Sequence, residues 1–334
     1  MRFCQTADWH ITTRTVYAKV RLEFLSENVT LLADKGKKNH IDFFVLLGDI
    51  FNTINPSEEE RFFFATQVKK LIIVAPVYLI PGNHDGNDQI SAFSSLGELV
   101  NDKRLIIINK RCIIKMYGYK VCFLPYSSNL PKYILKARNK NTGILFSHFS
   151  LIGAKVSKEN FRLKSWIDSR LLTSFKYVGL GDVHKGQNID NCYYSGSTNK
   201  ISFGEIIDDK YFLIVDIDKE IKTKKIYTTD IKLIEYDEKT IHKLDNNEKY
   251  VAKIKYKKEN KDLMKKLYND LINRPNVVDV KMEIINNEII KSEVKKLDYR
   301  KTIQEILYDY LKLDKTLKIE QKKDNYKYVK RLWV

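Results

Sequence analysis

An α/β fold is predicted for this 334-residue chain by three observations. Short apolar runs alternate with stretches of helical periodicity, several runs end in a polar residue beside His or Asp, and the texture changes after about residue 220.

The first strand is "RFCQT", followed by a helix from Thr15 to Lys35 and a second strand in "DFFVLLGD". The next helix, from Ser57 to Ile73, carries its own start signal. Pro56 precedes Ser57 and Glu60 stands three residues on, the pattern of a capping box. "VYLIPGNHD" gives the third strand, and "YKVCFLPY", "GILFSH", "KYVGLGDVH", "NCYYSGS" and "YFLIVDID" give others. Open α/β sheets collect their sites beyond the carboxyl ends of strands, which is where these polar residues fall. Residues 248 to 285 then read as strand "KYVAKIKYK", helix "NKDLMKKLYNDLINR" and strand "NVVDVKMEII", a small α/β unit without catalytic-looking residues. Near the carboxyl terminus Ile303, Ile306, Leu307, Tyr310 and Leu311 keep helical spacing ahead of a basic tail, "KYVKRLWV". The expected organisation is a main domain over 1–220, a small α/β cap over 221–290 and a basic helical segment over 291–334.

A 43% hydrophobic content is enough for a real core, and disorder is excluded as the default. The formal charge of +17 favours a polyanion such as nucleic acid, or an acidic membrane face. A Lys-rich solvated surface accounts for it equally well. Cys4, Cys112, Cys122 and Cys192 are scattered without CxxC spacing, which fits a reducing compartment. "MRFCQTADWH" has neither an apolar signal region nor a cleavage site, and no apolar run approaches the roughly 18 residues of a membrane span. A cytoplasmic protein is expected, in the host cytoplasm if the chain is phage-encoded, with no membrane partner.

Six histidines occur, and four of them close strand-like runs, in "ADWH", "PGNHD", "LFSH" and "GDVH". Side chains at i and i+2 of an extended segment point the same way, so Asp8 with His10, and Asp182 with His184, each present two ligands to one point. Asp49 of "LLGDIF", Asn83 of "PGNHD" and His148 join them. Imidazole, carboxylate and amide oxygen without thiolate suit Mn²⁺, Fe²⁺, Zn²⁺ or Mg²⁺, and so many donors suggest two ions rather than one. Taken singly, each piece has an ordinary explanation: a hydrogen-bonded Asp and His, a turn, a satisfied core histidine. Their joint occurrence at strand ends, in this order, points to metal.

The order "DWH", "GDIF", "GNHD", "SH", "GDVH" resembles the calcineurin-like metallophosphoesterases over about residues 1 to 205. "GDIFNTINPS" and "YYSGSTNKISFGE" are similar to the DNA-processing branch of that superfamily, the SbcD-type repair and recombination nuclease subunits. The resemblance implies a four-layer α-β-β-α sandwich with a small cap and a carboxyl-terminal docking segment. It implies one metal held by Asp8, His10, Asp49 and His184, and a second held by Asp49 as a bridge with Asn83, His148 and Asp182. Relatives commonly carry His where this chain has Asp182, a change that favours harder cations such as Mn²⁺ or Mg²⁺.

The implied reaction is phosphodiester hydrolysis by metal-activated water, with His84 protonating the departing sugar oxygen. Asp85 is read either as the residue that orients His84 or as a turn residue. Asn52 stands where relatives often have His or Asp, which puts the support of His84 in question. Ser195, Ser197, Asn199 and Lys200 are candidate DNA contacts through backbone amides and the Lys charge, as is the loop "GAKVSKENFRLKSW" after His148. The family implies a homodimer through helices near residues 57–73 and 89–100, where Phe62, Phe63 and Phe64 cannot all face one core. It also implies an SbcC-type coiled-coil ATPase bound through 297–334. The expectation is therefore a Mn²⁺-dependent nuclease, a 3′-to-5′ exonuclease on duplex ends and an endonuclease on single strands and hairpins, in DNA end processing. Mg²⁺ and Fe²⁺ are the other candidate ions. The alternatives are a phosphatase or cyclic-nucleotide phosphodiesterase of the same fold, and a non-catalytic metal-stabilised scaffold.

Overall fold

The computed structural model describes residues 1–15, 17–86, 91–93, 100–156, 167–237 and 244–284. Parallel strands β1 (Arg2–Thr6), β2 (Phe43–Leu47), β3 (Val77–Ile80) and β4 (Leu105–Ile107) begin a first sheet. A second sheet is built from β5 (Cys112–Met116), β6 (Tyr119–Leu124), β7 (Ile144–His148), β8 (Tyr177–Gly181), β9 (Gln187–Ile189) and β10 (Cys192–Tyr194), in the order β5-β6-β7-β8-β10-β9. The chain then returns to the first sheet, where β11 (Tyr211–Ile217) lies antiparallel to β1 and β12 (Ile221–Tyr227) antiparallel to β11. That sheet thus has six strands and runs on to Tyr227.

The strand sequences explain the layering. "FFVLL" of β2 is apolar at every position because both faces are covered. Phe43, Val45 and Leu47 enter the core between the two sheets, with Phe3, Phe123, Phe146 and Tyr177, while Phe44 and Leu46 face outward into a second core. β7 divides likewise, Phe146 inward and Leu145 outward. Each such side chain, fully buried, contributes roughly 1.5–3 kcal/mol.

Helices close the outer faces. α1 (Ala18–Lys38) and α2 (Glu58–Ile72) pack Leu22, Leu25, Val29, Leu32, Phe64, Val68 and Leu71 on the first sheet. α3 (Leu130–Arg138) packs Leu130, Ile134 and Ala137 on the second. The result is the four-layer α-β-β-α sandwich. The capping box at Ser57 is present, with both of its hydrogen bonds to and from Glu60. α1 begins three residues later than its periodicity predicts and ends three later, at Lys38.

A separate three-stranded parallel sheet follows, of β13 (Lys232–Tyr236), β14 (Tyr250–Tyr256) and β15 (Val277–Ile284), with α4 (Lys261–Ile272) set on it through Met264 and Leu271. Its other face meets the start of α1, where Leu233 and Val251 pack on Tyr17. No helix among the described residues is long and apolar enough to cross a membrane. The segment expected to dock an ATPase (297–334), most of the helix near 89–100, and residues 157–166 of the loop after His148 lie outside the described residues.

Candidate metal centre

The site forms where the carboxyl ends of β1, β2 and β3 meet those of β7 and β8. β1 stops at Thr6 and β8 at Gly181, so the Asp-x-His pairs lie just beyond the strands, not in extended backbone as the i and i+2 argument assumes. Asp8, His10, Asp49 and Asp182 all have left-handed φ, at 53°, 45°, 51° and 86°. Non-glycine residues held this way cost about 1–3 kcal/mol each and need the surroundings to over-determine them. Backbone bonds supply part of that: Asp8 N donates to Gly48 O at 3.0 Å and His10 N to Asp49 O at 2.9 Å. Gly82 is required for space, because a Cβ there would stand against the Asp49 carboxylate and the His148 ring.

Ligand atoms of Asp8, His10 and His184 lie within 4.8 Å of one another, and so do those of Asp8, Asp49 and His148. Asp49 joins the groups: Oδ1 is 3.4 Å from His148 Nε2, and Oδ2 is 3.7 Å from His10 Nε2 and 4.0 Å from His84 Nε2. Asp182 Oδ1 is 3.8 Å and Asn83 Oδ1 3.0 Å from His148 Nε2. His184 instead turns toward His10, so the two residues of the second Asp-x-His pair face different histidines.

The ring tautomers make the case for cations. His148 Nδ1–H donates to Leu47 O at 2.7 Å, His184 Nδ1–H to the Glu205 carboxylate at 3.1 Å, and His10 Nδ1–H to Asn52 Oδ1 at 3.2 Å. With every Nδ1 committed as donor, the Nε2 atoms point inward, and the Nε2 lone pairs of His10 and His184 face each other at 3.1 Å. Only a proton or a metal ion reconciles two facing lone pairs. Asp8 Oδ2 is also buried without a hydrogen-bond partner. The donor set, imidazole, carboxylate and amide oxygen with no thiol, fits divalent cations.

Protonation shows what a cation displaces. Burial pushes the Asp8 carboxyl up to about 7, against the pull of His148 and His184. Burial also lowers His10 to about 3, leaving a neutral imidazole ready to ligate. His148 stays well above the usual range, since Asp49, Asp8 and Asp182 outweigh its burial. Asp49 is buried too, yet His148 and His10 beside it hold its carboxyl below the usual range.

The sequence profile of the calcineurin-like phosphoesterases matches residues 1–287. The chain belongs to that family. The SbcD protein of the SbcCD nuclease from Staphylococcus epidermidis is 26% identical over 251 residues, 65% of this chain and 66% of that protein, so the chain spans just under two thirds of that relative's length. A dimetal phosphatase from Danio rerio is 12% identical, covering 68% of this chain and 96% of its own with a TM-score of 0.46. An archaeal phosphodiesterase is 11% identical, covering 68% and 99% with a TM-score of 0.38.

Three expectations for this phosphoesterase meet particular contacts in the structure. The Asp85 carboxylate accepts from the amides of Ile50, Phe51 and Gly82 at 3.1, 2.8 and 2.9 Å and is fully buried. It ties the end of β2 to the end of β3, while the His84 ring bonds elsewhere. The His84 ring is held by Asn52 after all, but through its carbonyl, which accepts from Nδ1–H at 3.1 Å, so the side chain at 52 does not matter for this contact. Ser195, Ser197 and Asn199 are 1%, 0% and 2% exposed and turn inward. Ser197 N donates to His184 O, Ser195 Oγ to Gly196 O, and Asn199 Nδ2 to Thr229 O and Asp230 Oδ1, so these donors are engaged within the fold. The backbone amide of half-buried Lys200 is likewise taken by Asp230. On α2, Phe64 is fully buried in the core and Phe63 packs against it, whereas Phe62 is 68% exposed.

Sequence reasoning also missed Glu205 and Lys210. Glu205 holds His184 and pairs with buried Lys210 at 2.6 Å, and Lys210 in turn donates to His184 O at 2.9 Å and Ser197 Oγ at 2.8 Å. Burial pushes Glu205 up, but His184 and Lys210 prevail and hold it down at about 2. Glu205 ends the stretch "YYSGSTNKISFGE", so a signal existed without a role attached.

Proposed function

We propose that this chain is the nuclease component of a DNA end-processing assembly, a phosphodiester hydrolase using two divalent cations, Mn²⁺ foremost. Asp8, His10, Asp49 and His184 hold one, and Asp49, Asn83, His148 and Asp182 the other. The observation that carries this reading is the set of three imidazoles whose Nδ1–H groups are committed and whose Nε2 atoms converge on Asp8 and Asp49. Cations bound there lower the pKa of water and offset charge on the phosphate.

The chain's own residues supply orientation and the proton. Asp49 lies between the two groups, and its Oδ1 also accepts from His84 N at 2.9 Å, which fixes the loop carrying His84. The His84 side chain is 43% exposed, with Nδ1–H tied to Asn52 O, so Nε2 is the atom that holds a proton and gives it to the departing sugar oxygen. Gly82 and Gly48 leave no side chain between this loop and His148.

DNA as the substrate is supported by the likeness to the staphylococcal SbcD protein and by a charge of +17, which draws a polyanion through counterion release. By the same likeness residues 297–334 bind an SbcC-type ATPase, and exposed Phe62 on α2 contributes to a homodimer. The test is labelled duplex and hairpin DNA incubated with Mn²⁺, with and without the ATPase, beside small phosphate mono- and diesters. DNA cleavage that falls steeply with salt is expected. Rapid, salt-independent hydrolysis of the small esters with DNA left intact would make the chain a phosphatase instead.

A further inference from the structure

Arg21 is a buried charge for which the chemistry above has no use. It projects from the first turn and a half of α1, is 2% exposed, and among the described residues has no carboxylate within ion-pair distance. A guanidinium so deeply buried is expensive, with only the longer-range fields of Asp230 and Glu205 to offset it. Its donors go to two backbone oxygens: Nη1 to Trp9 O at 3.3 Å and Nη2 to His10 O.

Those two carbonyls belong to the peptide planes on either side of His10. Fixing both planes fixes the backbone dihedrals between them, and His10 is the residue held at φ 45°. Its ring has a separate anchor, Nδ1–H on Asn52 Oδ1. Held at both backbone and ring, Nε2 has one direction left, toward His184. A planar fork with two separate nitrogens spans two carbonyls; a Lys ammonium presents a single nitrogen.

We propose that Arg21 is a positioning residue for the metal centre: its guanidinium locks the left-handed backbone at His10 and thereby aims Nε2 at the cation shared with His184. This rests on the two-cation reading above. The sign of the effect separates positioning from electrostatics. A positive charge close behind a cation site opposes cation binding, so if charge were all that mattered, neutralising Arg21 would tighten binding. Positioning predicts the reverse.

The experiment titrates Mn²⁺ alone into the full chain, following free ion by electron paramagnetic resonance, for wild type, Arg21→Gln and Arg21→Lys. Near-ultraviolet circular dichroism in chelator checks folding. Arg21→Gln is expected to weaken one of two sites by about 10- to 100-fold, the site that Asp182→Ala leaves intact, while the other keeps its affinity. Arg21→Lys weakens the same site less, and it alone decides if Arg21→Gln does not fold. Unchanged or tighter binding, or equal loss at both sites, overturns the proposal. Two sites in wild type with no change in the variants removes this inference alone, whereas a wild-type chain that takes up no Mn²⁺ removes the two-cation reading with it.

Discussion

His148 stands beside Asp49 and His184 beside His10, and they are oriented by different means. His148 is fully buried, and its Nδ1–H meets a main-chain carbonyl, Leu47 O, at the end of a strand with no exposed residue. The His184 side chain is 31% exposed, and its Nδ1–H meets Glu205, itself paired with Lys210. One ring is thus oriented by the sheet and the other by a buried charged pair. A carboxylate partner makes an imidazole a stronger donor, so the more open side gains in basicity what it lacks in burial. The contrast teaches that the His148 side is built into the fold, while the His184 side depends on a few named side chains.

Asp49→Ala should have the largest effect, because it breaks both sides at once. Metal analysis should find both ions lost and DNA cleavage abolished; retention of either ion would show that the sides do not share Asp49. His84→Gln comes next, and it should leave both sides intact. Cleavage should fall by about 10²- to 10⁴-fold with metal content unchanged, and wild-type turnover would remove His84 from the reaction.

Glu205→Gln tests the contrast itself. It keeps an acceptor for His184 but removes the charge, and should weaken Mn²⁺ on that side by about 10- to 100-fold while the His148 side is spared. Equal weakening of both, read by calorimetry, would erase the distinction. The smallest effect is acidification. Asp8 must lose its proton to ligate, and burial has raised it to about 7. Below that pH a cation competes with the proton, so Asp8 alone should lower Mn²⁺ affinity as the pH falls, and the proton that His148 must also lose keeps affinity rising above it. Affinity that is flat between pH 5 and 8 would show that Asp8 does not ligate.

Much of this was legible in the sequence. The His148 side is made of a strand end and a Gly-Asn-His-Asp turn, both visible as short apolar runs closed by polar residues. β2 reads as buried on both faces, and Ser57 with Glu60 reads as a helix start. The His184 side was harder. Glu205 lies 21 residues from the ring it holds, and Arg21 looks like any basic residue on a helix until the fold brings it under His10. Extended alternation predicted that Asp8 and His10 converge, but left-handed backbone achieves it, and no residue type announces that. Serines in "YYSGS" read as an anion loop, although buried Lys210 claims Ser197 from within. Edge strands were missed where they are short or polar, as in "QNI" of β9 and "IKTKKIY" of β12.

Anomalous scattering from a crystal soaked in Mn²⁺ tests the central claim most directly. The account predicts two peaks flanking Asp49, one against His10 and His184 and the other against His148 and Asp182. No peak there, or a single peak that leaves either pair of residues without metal, would contradict it.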